Sequence, residues 1–166
     1  MRKALLSSLA LSAALLFAAD ARAQQAAPPA PPEYGPGMNL EIATKAVNAA
    51  IAEAKKNNWT LAIAVTTNGG NLVHFSRMDQ TQNGSIAIAL HKAKAAAIFK
   101  RPTKAFEDRV AAGGAGIAAM TLDGMIASEG GIPLMVGGKM IGAIGCSGAT
   151  GQQDGVACMA GVNALK

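Results

Sequence analysis

The sequence predicts an α+β domain, and three observations predict it. Residues 61–66 alternate Leu61, Ile63 and Val65 against Ala62, Ala64 and Thr66, which is the two-residue period of a strand. Two glycine-centred turns, "NGGN" at 68–71 and "GG" at 137–138, each join one strand-like run to another. Segments with helical spacing stand before, between and after these hairpins. Hairpins build an antiparallel sheet, and the helices cover it.

The elements follow in chain order. Arg2 and Lys3 precede one apolar run, and Ala21-Arg22-Ala23 is a small-x-small cleavage site. Residues 1–23 therefore read as a secretory signal peptide, which places the mature protein in the periplasm or outside the cell, with no membrane span after cleavage. Residues 24–37, "QQAAPPAPPEYGPG", are rich in Pro and Ala, lack an apolar period, and read as a solvated linker. The folded domain is expected over 38–166. That leaves about 130 residues, enough for one core and too few for two.

Leu40, Ala43, Val47, Ala50, Ile51 and Ala54 recur at helical spacing, with Asn39 as the cap and Asn57-Asn58 as the stop. Strand 60–67, the "NGGN" turn and the returning strand "LVHFSRM" come next. "GSIAIALHKAKAAAIFK" is a second helix with two apolar stripes, one of Ile86, Leu90, Ala93 and Ala97, the other of Ile88, Ala95 and Phe99. Two apolar faces need two covers, the sheet and either a second subunit or a flat ligand. Pro102 ends this helix, and Thr103 is expected to cap the short helix "KAFEDRVA". The glycine-rich stretch 112–131 reads as a loop with one short element. "IPLMV" and "KMIGAIGCS" are the second strand pair, and "TGQQDGVACMAGVNAL" is the closing helix.

Several function classes drop out. Loss of Arg2, Lys3, Arg22 and Asp20 lowers the formal charge from +5 to about +3. No aromatic residues interleave with the basic ones, so nucleic acid is not an expected partner. Gly138-Lys139 is followed by Met140 rather than Ser or Thr, which excludes a P-loop. "GCSGA" lacks the last glycine of a nucleophile elbow. The turn before the closing helix could hold an anion on its free N–H groups, or be a plain turn. Cys146 and Cys158 read as two small buried residues, one on a strand and one on a helix, placed too far apart to bridge. Their even number in an exported chain leaves a disulfide open.

Candidate chemistry concentrates in one segment. Ser76, His74 and Asp79 could be drawn as a triad, but His74 and Ser76 stand side by side on one strand and nothing in the sequence orients the imidazole. Between His91 and Arg109, the cations Lys92, Lys94, Lys100, Arg101, Lys104 and Arg109 surround Ile98, Phe99 and Phe106. A flat apolar ligand with carboxylates suits that mixture, and solvated helix faces are the plain alternative.

The combination "SRMD", "GSIAIALHKAKAAAIFKRPT", "GGIPL" and "IGAIGCSGATGQQD" resembles the GlcG/HbpS-type haem-binding family, over about Met38 to Lys166. The resemblance implies a profilin-like antiparallel sheet with helices on both faces, a homo-oligomer, and haem or iron binding in exported members. It implies that Thr103 lies near the haem iron. The surface acidic iron-binding pairs of some exported members have no clear counterpart here. Haem, or a similar flat anionic ligand, is thus the expected cofactor. Phe99 is expected as its wall, and Lys100, Arg101 and Lys104 as partners of its propionates. Thr103 is favoured as iron ligand by family position, and His91 and His74 by chemistry, with Met78 a further donor. The expected function is an exported protein that buffers, carries or senses haem. The alternatives are an enzyme that degrades haem or acts on a small metabolite, and an accessory oligomeric subunit without haem.

Overall fold

The computed structural model describes residues 30–166; the expected signal peptide and the first part of the linker lie outside them. Helix α1 (Leu40–Lys56) starts as the sequence predicts, with the Asn39 side chain accepting the Ile42 N–H at 2.8 Å. Strands β1 (Ala62–Thr67) and β2 (Leu72–Arg77) form the first hairpin. Helix α2 (Gly84–Ile98) is followed by α3 (Lys104–Ala111) and a 3₁₀ segment (Gly114–Thr121). Strands β3 (Gly131–Val136) and β4 (Lys139–Ser147) form the second hairpin, and α4 (Gly151–Asn163) closes the chain. The sheet is antiparallel throughout, in the order β2-β1-β4-β3.

Strand alternation sorts side chains onto two faces. Ile63, Val65, Ile144 and Cys146 join Ala43, Val47, Ala50 and Ala157 in the main core, against α1 and α4. On the other face Ala62 and Ala64 meet Ala89 and Ala93 of α2, and Ala143 meets Ala96 and Ala97. This α2 face differs from the expected stripes. Small residues Ala89, Ala93 and Ala96 point at the sheet, while Ile88 is 36% exposed. The reason is distance. A Cβ on Gly145 would stand 2.3 Å from the Ala89 carbonyl oxygen, so the helix backbone rests on the strand and leaves no room for Ile or Leu.

The part of the presumed linker within the described residues touches the sheet. Met140 N–H donates to Glu33 O at 2.8 Å and Gly35 N–H to Met140 O at 2.7 Å.

One expectation is corrected at the chain's end, and one open alternative is decided. Cys146 and Cys158 form a disulfide, with Cα atoms 5.8 Å apart. The tight turn after Ser147 brings α4 back across the face to which Cys146 points, so a strand residue and a helix residue become neighbours. The start of α4 is also not an open anion site. Thr150 and Gln153 form a reciprocal capping box, and Ala149 N–H donates to Asp154 Oδ1 at 3.1 Å.

Candidate functional site

Lys92 and Lys94 stand two residues apart on α2 and face different surroundings. Lys92 is 1% exposed, and its Nζ donates to Asp154 Oδ2 at 2.8 Å. The pair crosses from one face of the sheet to the other beside Gly130. Burial pushes the Asp154 carboxyl up from its ordinary value, while the Lys92 ammonium and the Ala149 N–H pull it back. Sequence reasoning placed Lys92 among the ligand-facing cations. Its true partner lies 62 residues away, and no local pattern announces it.

Thr103 sits next to this pair and is fully buried. Its hydroxyl does not cap α3, contrary to expectation; its backbone is already helical, at φ −64 and ψ −21. Instead Oγ1 accepts the Gly131 N–H at 2.9 Å, while Thr103 N–H donates to Gly131 O at 2.9 Å. The two bonds pin the start of the edge strand β3 to the turn after α2. A Cβ on Gly131 would meet the Lys92 carbonyl oxygen at 2.3 Å and the Thr103 methyl at 2.6 Å, so only glycine fits there.

Phe99, Lys100 and Arg101 form a rim at the end of α2. Phe99 meets Phe106 edge-on at 5.0 Å, and Arg101 lies over the Phe106 ring at 5.8 Å. Lys100, at φ 53, turns the chain out of the helix and places its ammonium 3.8 Å from the centre of the Tyr34 ring. Lys104 pairs with Asp108 and, at 3.6 Å, with Glu107.

His91 belongs to a different place. Ala87, Leu90, His91 and Lys94 follow i, i+3, i+4, i+7 spacing and form one wall of an open groove of about 480 Å³. The β1–β2 hairpin contributes Gly70 and Leu72, and the loop before β3 contributes Asp123 and Gly124. Leu72 is 54% exposed. Of the six expected site residues, His91 alone lines this groove; Phe99, Lys100, Arg101, Thr103 and Lys104 do not.

His74 and Met78 lie on β2 and beyond it, facing α1. The expectation that nothing orients the His74 ring is wrong. Thr44 Oγ1 lies 3.3 Å from Nδ1, and Ser76 Oγ lies 3.2 Å from Nε2. Thr44 comes from α1, 30 residues earlier, which is why strand spacing alone did not reveal it. Among the described residues, no group of three or more His, Cys, Asp and Glu could hold a metal ion.

Comparison with known proteins adds to this geometry. Residues 38–163 match the family described as haem degrading protein HbpS-like. The chain belongs to this family. It is 38% identical to Protein GlcG of Escherichia coli over 110 residues, covering 66% of this chain and 81% of GlcG. Crystal structures share the fold. HbpS superposes with a TM-score of 0.72 at 29% identity, covering 80% of this chain and 92% of HbpS. A protein solved as a PduOC–haem complex superposes at 0.70 with 21% identity, covering 78% of this chain and 96% of that one. The expected α+β class is thus the observed one, with helices on both faces of the antiparallel sheet.

Proposed function

We propose that this member of the HbpS-like family is an exported haem-binding protein that buffers, carries or senses haem. The observation that carries the reading is the α2 groove. Haem asks for an apolar slot, a donor to iron and cations for its propionates. Ala87, Leu90 and Leu72 are apolar walls, His91 is a nitrogen donor, and Lys94 is a cation on the same helix face. The volume, about 480 Å³, falls within the ordinary range for small-molecule sites. Bound there, haem would bring a redox-active iron; the chain's residues would hold it, orient it and restrict water. The family membership and the haem complex of a fold relative point the same way.

The Phe99–Lys104 rim is the second part of the proposal. Arg101 is exposed and lies over Phe106, outside the groove lining, and would meet only a propionate that extends past the end of α2. Thr103 is fully buried and its hydroxyl is held by the Gly131 N–H, whereas His91 is exposed on the groove wall, which favours His91 as ligand. A hemin titration decides. His91→Ala is expected to lose or shift the Soret band, while Thr103→Val keeps it; the reverse pattern returns the ligand role to Thr103. Arg101→Ala is expected to weaken binding by about 1–3 kcal/mol. A wild-type protein that gives no Soret change removes haem binding and leaves an accessory oligomeric subunit.

Two features support the remaining parts. The disulfide suits an oxidising compartment, consistent with periplasmic or secreted localisation. Mass spectrometry of the exported protein is expected to find a chain beginning at Gln24. Exposed Ile88, Leu72, Ile117 and Met120 offer apolar surface for a homo-oligomer, which light scattering would show as a mass above one chain. A second reading, haem degradation, follows from the family's description. Loss of the Soret band with reductant and oxygen, together with iron release, would establish it.

A further inference from the structure

We propose that Ser76 is a nucleophile activated by His74, and that the cavity beside it hydrolyses small carboxylic esters. The proposal is independent of the haem groove and uses none of its residues. Strand alternation puts His74, Ser76 and Met78 on one face of β2. That face meets α1, because His74 and Ser76 pair with Val65 and Ile63, which belong to the α1 core. On α1, Thr44, Ile51 and Lys55 share one stripe. The result is a line of hydrogen bonds, Thr44 Oγ1 to His74 Nδ1 at 3.3 Å and His74 Nε2 to Ser76 Oγ at 3.2 Å. Its end opens into a cavity of about 450 Å³, lined by Ile51, Lys55, Ser76, Arg77, Met78 and Asp79.

The arrangement has the parts of a base-assisted nucleophile. A helical threonine hydroxyl can donate to a carbonyl one turn back, which leaves its lone pair for the imidazole. In the tautomer the proposal uses, Nδ1–H donates to Thr44 Oγ1 and the lone pair of Nε2 faces the Ser76 hydroxyl. Thr44 is a positioning residue, and Ser76 and His74 are the catalytic residues. Lys55 faces the cavity as the cation for developing oxyanion charge; Arg77 is partly committed, donating to Thr81 O at 2.6 Å and Asn83 Oδ1 at 2.9 Å.

The chemistry balances with water as the second reactant. Ser76 Oγ bonds to the ester carbonyl carbon while its proton passes to His74 Nε2. The carbonyl electron pair moves to oxygen and returns as the bond to the leaving alkoxide breaks. That alkoxide takes the proton from Nε2 and departs as an alcohol. Water then attacks the acyl-enzyme with the same base, and releases a carboxylic acid and free Ser76. A neutral threonine does not compensate the imidazolium charge as a carboxylate does, which slows both steps. With an activated ester, whose leaving group needs little help from the base, acylation outruns deacylation and the acyl-enzyme accumulates.

The test uses the mature full chain and p-nitrophenyl acetate. The expected result is a burst of nitrophenolate approaching one per chain, with an acetyl group on the peptide that carries Ser76. Ser76→Ala removes both. His74→Gln slows the burst at least about 100-fold. Thr44→Val slows it about 3–10-fold and Thr44→Ser restores it, the split expected of hydroxyl positioning rather than packing. A fluorophosphonate probe on unmutated protein labels Ser76 and needs no variant to fold. Absence of label and burst from the unmutated protein, an acetyl group on Lys55 in place of Ser76, or a burst unchanged in folded His74→Gln each overturns the proposal.

Discussion

Lys92 and Lys94 are the same residue on the same helix, and they do opposite work. Lys92 is sealed against Asp154 at the junction of α2, α4 and β3. Lys94 is exposed, on the wall of an open groove beside His91. One turn of an α-helix is 3.6 residues, so a shift of two positions swings a side chain by about 200°. A buried ion pair is expensive to desolvate and becomes a liability when either partner is lost. An exposed cation contributes little to stability and is available to a ligand.

The largest effect should come from splitting the buried pair. Lys92→Met leaves a carboxylate buried without its partner, and is expected to cost about 3–5 kcal/mol in urea unfolding. Lys92→Met with Asp154→Leu is expected to recover most of that loss. If the double variant is no more stable than the single one, the pair is needed for more than mutual neutralisation.

Next in size is the disulfide on the same helix, α4, one turn beyond Asp154. Replacing Cys146 and Cys158 together by Ala is expected to cost about 2–4 kcal/mol. Unfolding with and without reductant measures it, and a protein indifferent to reductant would show that the bridge carries no stability.

Lys94→Ala is the contrasting case. Its stability is expected to stay within about 0.5 kcal/mol of the unmutated protein. Hemin affinity is expected to fall by about 1–3 kcal/mol, the cost of a lost charged hydrogen bond. Equal losses of stability in Lys94→Ala and Lys92→Met would erase the distinction between the two lysines.

The smallest expected effect is on pH dependence. Burial raises the Asp154 carboxyl above its ordinary value of 3.8, so the folded chain holds this proton more tightly than the unfolded chain does. Its contribution is then full below 3.8 and is lost as pH rises through the raised value. Asp154→Asn is expected to flatten that part of the stability curve, read from denaturant midpoints at a series of mildly acidic pH values. An unchanged curve would mean that pairing with Lys92 offsets the burial cost in full.

The sequence by itself determined the strands, the hairpins, the cap at Asn39 and the family. These depend on local periods and turn chemistry: Ile63 and Val65 alternate with Ala62 and Ala64 wherever the strand is placed, and Asn39 reaches Ile42 within one turn. The site was only partly legible. The basic and apolar character of residues 91–109 could be read, but not that His91 opens onto a groove while Thr103 is buried against Gly131. Tertiary structure decided which face of α2 meets the sheet. The close approach at Gly145 admits alanines and turns Ile88 outward, against the hydrophobic pattern. It also decided the pairs Lys92–Asp154, Cys146–Cys158 and Thr44–His74. Each joins residues from different elements, and such contacts exist only once the layers have packed.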